Sequence, residues 1–478
     1  ESVLTGCGTN MWCASREGIR TKSRPRPVST MGPVMHPLGA DVFHVSHDTV
    51  CSPVLHPKKH TIMHDETTAF VAMDWGDQEH ALALRLRGGG VEQCKLPATA
   101  EALHRWWEAL GKRCGYQPVA LAIEAGRSAV MHALVAYPWL IIYPIHPATS
   151  ERYRTAFTPS GAKDDSPDAL VLLQIVEQHR DKLRPLQLDT PVTRELAALT
   201  EIRRGAIDRR TSFACELQST LKTIFPQALE LLGDDLWTPL ALDFLQRWPE
   251  LAKLQRAKPS TIHSFYTTHN SRRPAVIAAR LDLIAQAQPL TSDRAVLDPA
   301  LLQIALLIAV LRPLQKHIEQ IEERIAVCFE AHPEAPLFAA LPGAGPALAP
   351  RLLVAFGSDR SRYPSAASLQ KYSGVAPVRE KSGKQVWTHW RWNAPTFLRQ
   401  TFVEWSGQTI PKCAWAKAYY LQQRRSGHRH QAILRSLAFK WLRILWRCWH
   451  DRVPYDEAHY LRRLSERKSP LSLHLPSA

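Results

Sequence analysis

Two short stretches, TTAFVAMDWG and VALAIEAG, constrain the fold more than anything else in this chain. Each is apolar at nearly every position, so each reads as a strand buried in a sheet interior, and each closes on a carboxylate, Asp74 or Glu124. Between them HALALRLRGGG alternates with period two and stops at glycines, which makes a hairpin with the first strand. TAEALHRWWEALGKRCG carries helical spacing and ends at a glycine. SAVMHALVAYP reads as a second helix, and WLIIYPIHP as a further strand. Strands alternating with helices after an opening hairpin predict an α/β layered domain ending near residue 178. Its last helix is DSPDALVLLQIVEQH, with Pro167 suited to the first turn.

The rest of the chain is predicted to be mostly helical. Ile304, Leu307, Leu311, Leu314, Ile318, Ile321, Ile325 and Cys328 recur in steps of three and four, a heptad seam with Pro313 in its first half. That seam suits a long arm for dimerisation or for spanning a nucleic acid, and it equally suits one face of a bundle. Residues 226–296, rich in proline, read as an irregular helical insertion. LFAALPGAGPALAPRLLVAFG has the form helix, tight turn, helix, with Gly343 and Gly345 leaving backbone N–H groups where a phosphate can dock. This is the helix-hairpin-helix pattern of sequence-independent DNA contact. VWTHWRWNAPTFLRQTFVEW interleaves Trp387, Trp390, Trp392 and Trp405 with Arg391 and Arg399, a mixture suited to unpaired bases and phosphates. About half of these tryptophans are expected in the core. In AFKWLRILWRCWHDR the stripe Phe439, Leu442, Leu445, Trp446 and Trp449 is expected to be core, with Lys440, Arg443 and Arg447 facing out.

Charge points to a polyanion. The formal net charge is +16, and the segment from Arg351 to Pro470, with 23 Lys and Arg against 7 Asp and Glu, carries a surplus as large as that of the whole chain. Nucleic acid is the usual answer to such a surplus. Nine scattered cysteines indicate a reducing compartment, not a disulfide framework. The longest apolar stretch, LLQIALLIAVL, falls short of a membrane span, so a soluble cytoplasmic protein is expected. Residues 1–62 lack any sustained period and read as disordered, or as read-through from an upstream start. His44, His47, Cys51, His56 and His60 within them match no zinc spacing.

The carboxylates pose a sharper question. Asp74 and Glu124 end strands, and Asp165 and Asp168 open a helix three residues apart, on one face. Asp164 breaks that spacing and is read as the spare. Four acids gathered at one rim would repel unless divalent cations held them. Hard oxygen donors select Mg²⁺ or Mn²⁺, whose pairs serve phosphodiester cleavage.

With these residues in view, the chain resembles the bacterial insertion-sequence transposases that join an N-terminal RuvC-like DEDD domain to a C-terminal serine transposase domain, the bridge-RNA-guided serine recombinases. AMDWG, IEAG and KDDSPDA match the family's acidic motifs through Asp74, Glu124, Asp165 and Asp168; LPGAGPALAPRLLVAFG matches its PGIG segment. YSGVAPVREKSGK matches the stretch holding its nucleophilic serine, here Ser382, with Ser373 the rival. The resemblance implies a RuvC-like RNase H fold over 66–178, a helical coiled-coil region over 179–335 and a serine transposase domain over 336–465. An extension (1–65) and a tail (466–478) flank them. It further implies a DNA transposase in which Ser382 forms a covalent link to DNA, flanked by Lys381 and Lys384, with metal on the four acids. The implied partners are DNA, a guide RNA and further copies of the chain, as a dimer or tetramer, in the bacterial cytoplasm at the nucleoid. Three other readings stand beside it: a junction-resolving endonuclease acting by hydrolysis, a DNA-binding remnant without catalysis, and a coiled-coil scaffold.

Overall fold

The computed structural model describes residues 67–124, 129–157, 165–469 and 471. The expectations for residues 1–65, the histidine cluster there and Asp164 lie outside the described residues.

A five-stranded sheet forms the first part, in the order β3-β2-β1-β4-β5. Its strands are β1 (Ala69–Trp75), β2 (Glu79–Leu86), β3 (Val91–Pro97), β4 (Val119–Glu124) and β5 (Leu140–Ile145). β1, β2 and β3 are antiparallel neighbours, whereas β4 runs parallel to β1 and β5 parallel to β4. The apolar runs occupy the centre: Val119 to Ile123 are fully buried, as strands covered on both faces must be. One face carries Val71, Met73, Leu121 and Ile123 against α1 (Ala100–Arg113), whose Thr99 caps the first turn through the Ala102 amide. The opposite face is paved with small side chains, Ala72, Ala83, Ala120 and Ala122. These let α4 (Asp165–His179) lie close, through Ala169, Leu172, Leu173 and Val176.

Two elements here were absent from the sequence reading. β3 is an edge strand with one buried residue among seven, so it carries no apolar alternation to betray it. α3 (Pro147–Phe157) follows β5 and is weakly amphipathic. The shorter α2 (Ala129–Leu134) connects β4 to β5.

A long helical hairpin comes next. α5 (Pro191–Ile224) starts on a Thr190 cap with proline in its first turn, and α11 (Arg294–Glu330) starts on Asp293. They run antiparallel, as the pairs Glu195–Arg324, Arg203–Glu322, Arg210–Gln315 and Glu216–Gln303 show. The predicted seam is real: Ile304, Leu307, Leu311, Ile318, Ile325 and Cys328 are buried, and α5 of the same chain packs along it. α11 runs on through Pro313 as one helix. Five helices, α6 (Gln227–Leu232), α7 (Pro239–Arg247), α8 (Leu251–Gln255), α9 (Pro259–Thr268) and α10 (Pro274–Gln286), form a core of their own with the adjoining ends of α5 and α11.

One expectation is corrected here. α11 contains an 18-residue window of mean hydropathy 1.9, long and apolar enough to cross a membrane by length and composition. Polar residues interrupt its apolar run, and this hid the window from a count of consecutive apolar positions. Ile304, Leu307, Ile308 and Leu311 pack into the helical core, and Leu302 and Leu306 are exposed.

The last part is helical apart from one ribbon. It comprises α12 (Ala335–Ala339), α13 (Gly345–Phe356), α14 (Ala366–Tyr372), α15 (Thr396–Thr409), α16 (Ala414–Arg425), α17 (His430–Asp451) and α18 (Glu457–Glu466). Between α14 and α15 stands a two-stranded ribbon, β6 (Val378–Ser382) with β7 (Gln385–His389). Trp405, Trp415, Trp441 and Trp449 are fully buried. Each indole N–H still finds an acceptor: the Pro342 carbonyl, the Tyr455 hydroxyl, the Thr409 hydroxyl and the Gly357 carbonyl. The expected stripe on α17 holds, with Leu442, Leu445 and Trp449 buried, Phe439 and Trp446 partly so, and Lys440, Arg443 and Arg447 exposed. The six cysteines among the described residues are free thiols.

Candidate active site and nucleic-acid interface

The register of two strands brings the first acids together. β1 and β4 pair from Ala69–Val119 to Met73–Ile123, so Asp74 and Glu124 are the next pair along. Both share strand parity with Ala72 and Ala122, the residues under α4, so they belong to the face that α4 covers.

The direction of α4 completes the rim. Glu177, near its C-terminal end, pairs at 2.8 Å with Arg85, which sits opposite Phe70 at the start of β1. Arg180, just beyond, reaches the Thr67 hydroxyl. α4 therefore runs antiparallel to β1, and its first turn, with Asp165 and Asp168, lies towards the strand ends that carry Asp74 and Glu124.

α3 ties the acids to one another. The Ser150 hydroxyl lies 3.0 Å from Glu124 Oε1 and 2.9 Å from the Pro147 carbonyl, one proton shared between two acceptors. One turn later, Arg154 Nη1 donates to Asp168 Oδ1 at 2.7 Å. Spacing of four places both side chains on one helix face. Sequence reasoning missed this pair; the signal lay in S-x-x-x-R directly after the last strand.

A carboxylate donor set suits a hard divalent cation. Among the described residues no three His, Cys, Asp or Glu side chains form a group that could hold a metal ion, and the Asp165 side chain is not among those described. The donors fit such an ion chemically. In this arrangement Asp168 is satisfied by a guanidinium.

The two serines have opposite environments. Ser373 is fully buried at the end of α14, its hydroxyl directed at the Gln370 carbonyl at 3.3 Å. Ser382 ends β6, opposite Gln385, at a two-residue turn whose first residue, Gly383, has φ +59°. Glycine there is what a tight hairpin turn of this hand requires. Ser382, Lys381 and Lys384 are all exposed. A Glu380–His389 pair at 2.8 Å braces the ribbon, and the hydrogen bonds that His389 donates to Glu380 and to the Trp390 carbonyl raise its pKa.

The turn between α12 and α13 treats its glycines differently. Both have positive φ, but a Cβ on Gly343 would collide with the Gln408 backbone of α15, its carbonyl carbon at 2.7 Å. A Cβ on Gly345 meets nothing within 4 Å. Gly343 thus seats the turn against the core, and Gly345 faces open space.

Of the interleaved aromatics, Trp405 is core, and Trp387 and Trp392 are 43% and 78% exposed. The Trp390 ring is met by the guanidiniums of Arg399 and Arg435, at 5.0 and 4.7 Å from its centroid. Arg399 also donates to the Arg391 carbonyl, so it braces the segment leading into α15.

Comparison with known proteins places these features. Residues 71–226 match a transposase model of the IS110 DEDD type, and residues 335–421 match the model of the IS116/IS110/IS902 transposase family. The chain is 25% identical over 400 residues to the mini-circle protein of Streptomyces coelicolor named as a transposase for IS117, covering 82% of this chain and 96% of that one. It is 24% identical over 404 residues to the 43.6 kDa protein of insertion element IS110 from the same organism, with the same two shares. It is 26% identical over 344 residues to the 42 kDa protein of IS900 from Mycobacterium paratuberculosis, covering 71% of this chain and 84% of that one.

Proposed function

We propose that this chain, a transposase of the IS110/IS116 insertion-sequence family, cuts and rejoins DNA through two sets of its own residues, an acidic rim and an exposed serine. The observation that carries this reading is the shared rim: Asp74 and Glu124 side by side at the ends of β1 and β4 on one sheet face, under the helix that begins with Asp165 and Asp168. A divalent cation, Mg²⁺ or Mn²⁺, held by these four carboxylates would supply Lewis-acid stabilisation of phosphate charge.

Ser382 is the candidate nucleophile, and its exposure at a ribbon tip, against the burial of Ser373, supports it. Its Oγ gives up a proton as it bonds to phosphorus; the P–O bond to the adjoining sugar breaks, and the departing sugar oxygen takes up a proton. Attack by another strand's hydroxyl on the phosphoserine reverses the step and exchanges strands. Lys381 and Lys384 flank the hydroxyl, where their charge draws in phosphate and stabilises negative charge in the transition state. The Gly345 side of the α12–α13 turn, acting as a helix-hairpin-helix, and the Trp387, Trp392 and Arg391 segment would hold DNA or a guide RNA. The side chains seen to hold these acids, Ser150 on Glu124 and Arg154 on Asp168, both lie on α3 in the sheet region. We therefore assign the union of rim and serine to an assembly of more than one copy, acting in the bacterial cytoplasm at the nucleoid.

The test is a labelled DNA carrying the element ends, incubated with the protein and Mg²⁺ and resolved under denaturing conditions. The expected result is a covalent protein–DNA adduct that Ser382→Ala abolishes, Ser373→Ala retains and Asp74→Asn suppresses. Cleavage by Ser382→Ala at the normal rate, with no adduct, would instead establish hydrolysis by the acids alone. RNA that copurifies with the protein and is required for cutting would establish guidance.

A further inference from the structure

A cavity of about 870 Å³ lies between α17 and α18, and neither the four acids nor Ser382 line it. Apart from Ala366, its lining residues lie beyond residue 421, where the family-model match ends. Five cations line it: Lys440, Arg443 and Arg447 from α17, and Arg463 and Arg467 at and just past the end of α18. Its two carboxylates are engaged. Asp451 accepts from Arg447 at 2.6 Å and His450 at 2.9 Å, and Asp456 caps α18 through the His459 amide at 3.1 Å. Among the described residues Lys440, Arg443 and Arg467 have no carboxylate partner.

Geometry selects the kind of anion. The α17 cations recur at steps of three and four, one row on one helix face. From Lys440 to Arg447 this row advances about 10 Å at 1.5 Å per residue. A second row, Arg463 and Arg467, is spaced by one turn on the other wall. A single small anion would meet one or two of these groups and leave the others facing like charge. A linear polyanion with a regular charge repeat meets both rows together.

We infer that the α17–α18 groove grips the sugar–phosphate backbone of a nucleic-acid strand, as an anchoring site separate from the residues that cut. The inference rests on the chain's action on nucleic acid, and not on the roles given to the four acids or to Ser382. Contacts of this kind carry no sequence preference and respond steeply to salt.

The test is fluorescence anisotropy of the full chain with labelled oligothymidine, oligouridine of equal length and a mixed-sequence DNA duplex, each titrated over a range of salt. Arg443→Gln/Arg467→Gln is expected to lower the slope of log affinity against log salt by about 1.4 on the strand it grips if single, or about 1.8 if duplex. Arg443→Lys/Arg467→Lys should restore the slope. Arg256→Gln/Lys258→Gln, which removes the same charge from the helical insertion, should leave it unchanged. The probe that loses slope identifies the ligand as DNA or RNA. Unaltered slopes on all three probes, in a variant whose melting matches the parent, would overturn the inference, and so would an equal loss from the Arg256/Lys258 control. Asp74→Asn distinguishes the two proposals: it should abolish cutting and leave these slopes intact.

Discussion

The two glycines of the α12–α13 turn make opposite predictions from one substitution. Alanine at either position meets the left-handed backbone penalty, about 1–2 kcal/mol. Both also gain about 0.4–1 kcal/mol from a stiffer unfolded chain. At Gly345 nothing further applies, since no atom lies within 4 Å of the new methyl. At Gly343 the methyl meets the Gln408 backbone, which sits in α15 and cannot rotate away as a side chain could. Next to it, Trp405 Nε1 holds the Pro342 carbonyl at 3.0 Å, so the turn cannot lift without losing a buried bond. Overpacking of that kind costs about 1–3 kcal/mol. Gly343→Ala is therefore expected to lose roughly 1–4.5 kcal/mol and Gly345→Ala roughly 0–1.5 kcal/mol. Denaturant unfolding followed by tryptophan emission reads the difference, because Trp405 reports on this contact. DNA affinity should move the other way, with Gly345→Ala weakening it while the fold stays intact. Equal destabilisation by the two changes would refute the assignment of one glycine to packing and the other to the open surface.

Arg351 is 4% exposed and donates to Glu404 at 2.6 Å, while Arg204 reaches the same carboxylate at 3.2 Å. Glu404→Ala strands a buried cation and should cost about 3 kcal/mol, whereas Arg351→Met should be near neutral and should rescue it in a double-mutant cycle of denaturation curves. His269 donates to Asp243 at 2.9 Å, and Arg312 lies 2.7 Å from the same carboxylate. Burial opposes both charges, yet hydrogen bonds to His269 and Arg312 hold the Asp243 pKa down, and bonds to Asp243 and the Phe265 carbonyl hold the His269 pKa up. The Asp243 contribution to stability is complete above its ordinary value of 3.8 and fades as pH falls through the depressed one. The His269 contribution is complete below 6.5 and fades as pH rises through the raised one. The melting-temperature gap between the parent and Asp243→Asn should therefore be widest between these two values, and a flat gap would contradict the pairing. Ser382→Ala should leave stability within about 0.5 kcal/mol, since the residue is exposed, so loss of the DNA adduct could not be blamed on unfolding.

Much of this molecule was legible because apolar runs bounded by acids leave few choices. β1, β2, β4 and β5 declared themselves by burial or alternation, and Asp74 and Glu124 by ending the two central runs. β3 did not, since its side chains face water on an edge. α3 did not, since it buries little; yet it carries Ser150 and Arg154, which touch the acids directly. The seam on α11 was plain, but its partner was not. α5 lies about a hundred residues upstream, and charges break its own apolar steps, so self-association and internal packing were equally open until the paired residues were seen. The two glycines could not be told apart from sequence, because what separates them is the α15 backbone, more than sixty positions away.

The helical hairpin leaves and returns at one place: Thr193, in the first turn of α5, hydrogen-bonds at 2.9 Å to His332, just past the end of α11. Leu196 at one foot and Ile325 and Cys328 at the other share a core with α13 and α15, whereas the far end packs around α6 to α10. Some 140 residues therefore amount to a detour whose entrance and exit are clamped together. Evolution or an engineer could shorten or lengthen it by whole heptads, changing how far the tip reaches while the junction at its base stays as it is.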